Sequence, residues 1–166
     1  MKKLLTKRTK TKTRLQYEAL ECGAASLATI LDYFGRYEEL SDLRAACGVN
    51  RDGSSAGQIL KAARTYGMTA KGFRMDAKKL KEDGKYPCIV FWGFNHFLVV
   101  EGFQEDMVYL SDPAQGRYKV DFEEFSTDYT GIVLQIEPNE LFKTDLSKRK
   151  GPILFTFIPQ LLPYTK

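Results

Sequence analysis

A single histidine stands among 166 residues, with a single tryptophan. So little imidazole leaves no set of histidine ligands for a catalytic zinc ion. The three cysteines, at 22, 47 and 88, offer no closely spaced pair for a structural one. An odd, scattered cysteine set is also no disulfide framework. Met1–Arg14 lacks the apolar stretch of a secretory signal, which together with unpaired thiols points to a reducing compartment. The one late apolar run, Ile153–Leu162, is broken by Pro159 and falls short of the roughly 20 apolar residues that span a bilayer. Internal repeats and low-complexity segments are missing too.

Charge is present but unevenly placed. The chain carries +4 overall, yet residues 1–14 hold seven of the 25 Lys and Arg and no acid. The rest is therefore faintly acidic, and no second basic cluster extends a phosphate footprint, so no nucleic-acid partner is expected. Residues 1–14 read as a solvated, flexible basic arm. An apolar fraction of 43% in a chain of this length is enough for one domain with a real core.

Helical spacing of Ala24, Leu27, Ile30, Leu31 and Phe34 predicts a helix from about Glu21 to Phe34, with Gly35 as its C-terminal stop. Short helices are expected at Asp42–Cys47, from Ser54 or Ser55 to Tyr66, and at Ala77–Glu82. Strands are expected at Thr69–Met75, Pro87–Trp92, His96–Phe103, Met107–Ser111, Arg117–Val120 and Gly131–Ile136, each rich in β-branched or aromatic residues and bounded by turn signals. Helices first and strands afterwards predict an α+β domain with an antiparallel sheet.

Cys22 opens the first helix, where the dipole favours a thiolate. The small residues Gly23, Ala24 and Ala25 behind it leave room for a substrate. The alternative is a small buried hydrophobe, which most free cysteines are. His96 begins an apolar strand. A lone histidine there is more often packed than catalytic, but no other side chain ordinarily titrates near neutrality, so a Cys22 nucleophile has no other partner. Asp112-Pro113 at a strand end is either turn chemistry or an acceptor for the second ring N–H of His96. The hairpin allows the latter, because the start of one strand lies beside the end of the next. Gln16, six residues before Cys22, is either a surface glutamine or an amide donor that joins the Cys22 N–H in an oxyanion hole. Cys47 and Cys88 read as structural.

Read in order, Gln16, then Glu21-Cys22-Gly23-Ala24-Ala25-Ser26-Leu27, then Asn95-His96-Phe97-Leu98-Val99-Val100, then Asp112-Pro113-Ala114 resemble the N-terminal peptidase domain of bacteriocin-exporting ABC transporters. Tyr33-Phe34-Gly35-Arg36, Asp52-Gly53-Ser54-Ser55 and Thr130-Gly131 match as well, so the resemblance covers about Leu15 to Pro138. It implies a papain-like fold and a cysteine endopeptidase needing no cofactor or metal. Such an enzyme removes the leader of a ribosomally made precursor after a double-glycine-type motif (Gly-Gly or Gly-Ala) at the cytoplasmic face of the membrane. It implies Cys22 as nucleophile, His96 as base, Asp112 as orienting acid and Gln16 as oxyanion donor. Around Asp52-Gly53 the chain looks most like members serving lanthipeptide-type substrates.

A slot tight enough for Gly, Ala or Ser needs walls, and Trp92, Phe94 and Asn95 ahead of His96, with Gly23 behind the sulfur, are the candidates. Core packing is the alternative for the two aromatics. The resemblance also implies the partners: the leader peptide and the membrane and ATPase parts of an exporter. No Walker A motif occurs here. The expected organisation is an arm at 1–14, a peptidase domain at 15–140 and a linker at 141–166. Competing readings are a non-catalytic docking domain, which an intact Cys22 and His96 argue against, and a transglutaminase-type acyl transferase, which the Gln16 spacing fits less well.

Overall fold

A computed structural model describes residues 8–149, so Met1 to Lys7 of the basic arm and the apolar run at 153–162 lie outside it. Three helices come first: α1 (Cys22–Tyr33), α2 (Leu40–Ala46) and α3 (Ala56–Thr65). Then follow β1 (Met68–Arg74), α4 (Ala77–Asp83), β2 (Cys88–Trp92), β3 (His96–Gln104), β4 (Met107–Asp112), β5 (Gly116–Asp121), α5 (Phe122–Asp128) and β6 (Tyr129–Pro138). The strands form one sheet in the order β1-β6-β2-β3-β4-β5, every neighbouring pair antiparallel. The expected α+β class is the observed one. Among the described residues no helix is long and apolar enough to cross a membrane.

Local chemistry sets the helix starts. Ser55 and Gln58 cap α3 reciprocally: the Ser55 hydroxyl accepts from the Gln58 N–H at 3.2 Å, and the Gln58 side-chain oxygen Oε1 accepts from the Ser55 N–H at 2.8 Å. Asp121 caps α5 by accepting from the Glu124 N–H at 2.8 Å. The sequence pattern does not predict that short helix. Its seven residues offer only two apolar positions, Phe122 and Phe125, too few to establish a period.

Side chains alternate across the sheet and build two cores. On one face Ile89, Phe97, Val99, Leu134 and Ile136 meet the helices α1 to α3, whose contribution is rich in alanine: Ala24, Ala25, Ala28, Ala62 and Ala63. On the other, Cys88, Val90, Leu98, Val100 and Val133 meet α4 and α5 around an aromatic cluster of Trp92, Phe103, Phe125 and Tyr129. Each fully buried aliphatic side chain stabilises by about 1.5–3 kcal/mol.

Both ends of the described chain depart from expectation. Residues 8–14 are not a free arm: Thr9 donates its N–H to the Glu101 carbonyl at 2.7 Å, Thr11 bonds the Glu101 carboxylate, Thr13 pairs with Ser111, and the Arg14 N–H reaches the Thr29 hydroxyl. The start of the expected linker is also docked. The Asp145 N–H donates to the Gly35 carbonyl, Lys148 pairs with the buried Glu38 at 2.8 Å, and Arg149 lies 3.3 Å from Asp32. Gly67 makes this approach possible, since a Cβ there would stand 2.6 Å from the Phe142 backbone. In both places the partners are distant in sequence, and Lys/Arg-rich composition concealed them.

Candidate active site

Cys22 is the first residue of α1 and is 8% exposed. The turn before it is fixed by its neighbour. Glu21, 1% exposed, accepts the N–H groups of Tyr17 at 2.8 Å and Glu18 at 3.1 Å, and its other oxygen meets Arg44 Nε at 3.0 Å. One turn further into α1, the Ser26 hydroxyl donates to the Phe97 carbonyl at 3.2 Å. Residues four apart share a helix face, so the tie at Ser26 brings the sulfur of Cys22 beside the residue preceding Phe97, which is His96. The Cys22 side chain acts on the His96 ring and favours its charged form.

His96 opens β3 opposite Trp92, and the β3–β4 pairing that sets Val99 against Ser111 brings the end of β4 alongside. His96 Nε2 lies 2.7 Å from Asp112 Oδ1. An ionised carboxylate can only accept, so Nε2 carries the proton and Nδ1 is left for the sulfur. Asp112 is itself held: Oδ1 accepts the Ala114 N–H at 2.8 Å and Oδ2 the Gln115 amide at 3.2 Å. Burial opposes charge on the His96 ring, but the hydrogen bonds to Asp112 and Cys22 and their negative charge outweigh it and raise the imidazolium pKa from 6.5 to about 9. For Asp112 burial again acts against charge, and the bonds from His96 and Ala114 win, holding the carboxyl below its ordinary range.

Gln16 approaches from the Asp112 side, its N–H donating to the Pro113 carbonyl at 2.9 Å. Its side-chain oxygen is buried without a hydrogen-bond partner, a costly condition that marks the group for explanation.

A cavity of about 350 Å³ opens at Cys22. Phe94 and Asn95 line it, as expected for slot walls, together with Leu20, Phe91, Phe97 and Ile132. Two expected wall residues are elsewhere. Trp92 sits on the opposite face of the sheet, 5.5 Å from the Phe125 ring, because strand alternation sends Phe91 toward the cavity and its neighbour away. Gly23 faces α3: a Cβ there would meet Ile59 Cδ1 at 2.7 Å, so the glycine serves helix packing rather than substrate. The Asp52–Ala56 segment also lines the cavity. Its Asp-Gly-Ser-Ser string is visible in the sequence, but nothing local ties it to Cys22. The other two cysteines are fully buried. Burial pushes the Cys47 thiol up to about 12 and Cys88 still higher, which leaves both inert.

The arrangement can generate and steady a thiolate beside an imidazolium, the chemistry of acyl transfer. Comparison with known proteins agrees. The model of the peptidase C39 family matches residues 10–141. The chain is 35% identical over 127 residues to the probable microcin-H47 secretion/processing ATP-binding protein MchF of Escherichia coli, covering 76% of this chain and 18% of that protein. It thus spans about a fifth of the length of the curated exporters it matches. Among solved structures, a double glycine motif protease from an AMS/PCAT transporter, crystallised with its leader peptide, is 50% identical with a TM-score of 0.78, over 80% of this chain and 94% of that one. The peptidase domain of Streptococcus ComA, a bifunctional ABC transporter of a quorum-sensing pathway, is 26% identical with a TM-score of 0.73, over 77% and 98%.

Proposed function

From the premise that the chain belongs to the peptidase C39 family and is a papain-like cysteine peptidase, we propose that it cuts the leader from a bacteriocin- or lanthipeptide-type precursor after a double-glycine-type motif. Cys22 is the nucleophile, His96 the acid in the first step and the base in the second, Asp112 the group that orients it, and Gln16 the oxyanion donor. The observation that carries the reading is the 2.7 Å bond that holds His96 on Asp112, with Cys22, whose side chain acts on the same ring, at the cavity mouth.

In the reaction the Cys22 thiolate attacks the carbonyl carbon of the last leader residue. Negative charge gathers on the carbonyl oxygen, where the Cys22 N–H and the Gln16 amide receive it. His96, as imidazolium, gives its proton to the leaving nitrogen, and the C–N bond breaks. Water then attacks the thioester with neutral His96 as base, releasing the leader acid and restoring the thiolate. Asp112 keeps the ring in the tautomer both steps need.

Two small residues at the cut discriminate by only about 1–3 kcal/mol per methylene. Further binding energy comes from apolar side chains along the leader, for which the cavity beside Phe91, Phe94 and Ile132 is suited. The peptidase unit, matched by the family model over residues 10–141, leads on in this reading to the membrane and ATPase parts of an exporter and works at the cytoplasmic face.

The test is mass spectrometry of a Gly-Gly leader precursor incubated with the wild type and with Cys22→Ala. One cut directly after the motif, absent in the variant, is expected. Binding by both without cleavage by either would replace the enzyme with a docking domain.

A further inference from the structure

Glu101 is a buried carboxylate with no part in the chemistry above. It is 1% exposed and occupies the point in β3 where the pairing with β4 slips, between Val100 and Gly102. Such a bulge inserts one residue and re-aims its side chain. The carboxylate is saturated. Oε1 accepts the Thr11 N–H, the Thr11 hydroxyl and Arg117 Nε, each at 2.8 Å, and Oε2 accepts Arg117 Nη2 at 2.8 Å. It thereby ties β3 and β5 to the segment that precedes the active site.

A buried ion pair is weak as a device for stability, since apolar residues of like volume do as well or better. Its strength is in fixing register. From Thr11 the chain has five residues to reach Gln16, a span of about 17 Å when extended. Along that path Thr13 bonds Ser111 at 2.6 Å, the Arg14 N–H bonds Thr29 at 3.0 Å, and the Gln16 N–H bonds Pro113 at 2.9 Å. Thr29 lies on the same helix as Cys22, and Pro113 follows the Asp112 that holds His96. Each bond after Thr11 therefore refers the strand to an element of the catalytic site, and the anchor for the series is the Glu101 carboxylate.

We infer that Glu101, acting through Thr11, is a positioning residue for Gln16: it sets the register of residues 9–16 and so holds the Gln16 amide where the oxyanion forms. The inference rests on the reading of Gln16 as the oxyanion donor. Misplacement of a donor by about 1 Å costs up to 100-fold in rate, whereas attack of the sulfur on a small alkylating agent needs no oxyanion hole.

The experiment uses the whole chain and a Gly-Gly leader precursor, with kcat, KM, the rate of Cys22 alkylation by iodoacetamide and the melting temperature read for each variant. Glu101→Gln, which puts an amide donor where Arg117 needs an acceptor, is expected to lower kcat about 10-fold with KM within about 2-fold and the alkylation rate unchanged. Thr11→Val lowers kcat about 3-fold and Thr11→Ser restores it. In a Gln16→Ala background, Glu101→Gln and Thr11→Val each cost less than about 2-fold more, because the group they position is gone. Equal losses with and without the Gln16 amide, or alkylation falling in step with kcat, would overturn the positioning role. If Gln16→Ala alone leaves kcat intact, the oxyanion assignment fails first and takes this inference with it. Should Glu101→Gln not fold, the Thr11 pair decides between the same outcomes.

Discussion

The two faces of the sheet are built from the same strands and do different work. The face under α1 to α3 mixes alanines with leucine and isoleucine, carries few rings, and leaves a cavity at Cys22. The face under α4 and α5 is filled with interlocking rings, Trp92 on Phe125, Phe125 on Tyr129 and Phe103 on Phe125. Small side chains permit a close backbone approach and precise placement of a helix start. Large rings contribute area and rigidity. The aromatic face is a support for β2, β3 and β4, and Cys22, His96 and Asp112, the proposed catalytic residues, stand where those strands end against α1.

The sharpest way to test that division is to remove one group from each side. On the catalytic side, Asp112→Ala leaves His96 without its acceptor and is expected to lower kcat of the folded enzyme by roughly 10²–10⁴, with a smaller loss of stability of about 1–3 kcal/mol from the unpaired buried groups. On the support side, Phe125→Ala empties the centre of the aromatic cluster and is expected to cost about 3–5 kcal/mol of stability, read by denaturant unfolding, while kcat of the folded fraction stays within about 2-fold of wild type. A kcat loss in Phe125→Ala as large as its stability loss would show the two faces to be one cooperative device.

A milder test separates charge from geometry at the seam. With His96 raised from 6.5 to about 9, the imidazolium that gives its proton to the leaving nitrogen persists to mildly alkaline pH. Activity should therefore fall as pH rises through about 9. The stability this proton contributes is complete below 6.5 and is lost through the same window. Asp112 has the opposite sign: its folded value lies below 3.8, so its contribution is present above that pH and is lost in acid. Asp112→Asn keeps an acceptor for Nε2 but removes the charge. The alkaline limb of kcat should move toward 6.5 in that variant, and an unmoved limb would assign the limb to another group.

Much of this was legible in the chain, and what was missed shares a cause. Cys22, His96 and Asp112 could be set together because each stands at the start or end of a predicted element, and hairpin and helix geometry convert such positions into neighbours. The helix at Phe122–Asp128 went unseen because seven residues with two apolar positions carry no period. Residues 8–14 looked free because their partners, Glu101, Ser111 and Thr29, are 15 to 98 residues away in the chain. Trp92 and Phe94 looked alike as slot walls, since sequence proximity to His96 does not say which face a strand residue takes. Gly23 looked like space for a substrate, and that space is taken by Ile59.

The smallest expected effect is also the one that most finely separates the roles of the two faces. Phe94 is 78% exposed at the tip of the β2–β3 hairpin and adopts φ 60 beside Gly93 at φ 53, with the Asn95 N–H closing the turn on the Trp92 carbonyl at 3.2 Å. Turns of that hand favour Asn and Gly, and a bulky side chain there costs about 1–2 kcal/mol. An edge contact with Phe91 at 6.3 Å returns part of this. A large apolar side chain held in a strained conformation, exposed at the cavity rim, is accounted for if it meets the leader rather than the core. Phe94→Asn should then raise stability by about 0.5–1 kcal/mol, a gain of roughly 1–4 °C in the melting temperature, while raising KM several-fold at nearly constant kcat. A gain in stability together with a rise in KM would place Phe94 with the substrate. A melting temperature that falls would instead give the ring to the Phe91 contact, and the rim would belong to the core after all.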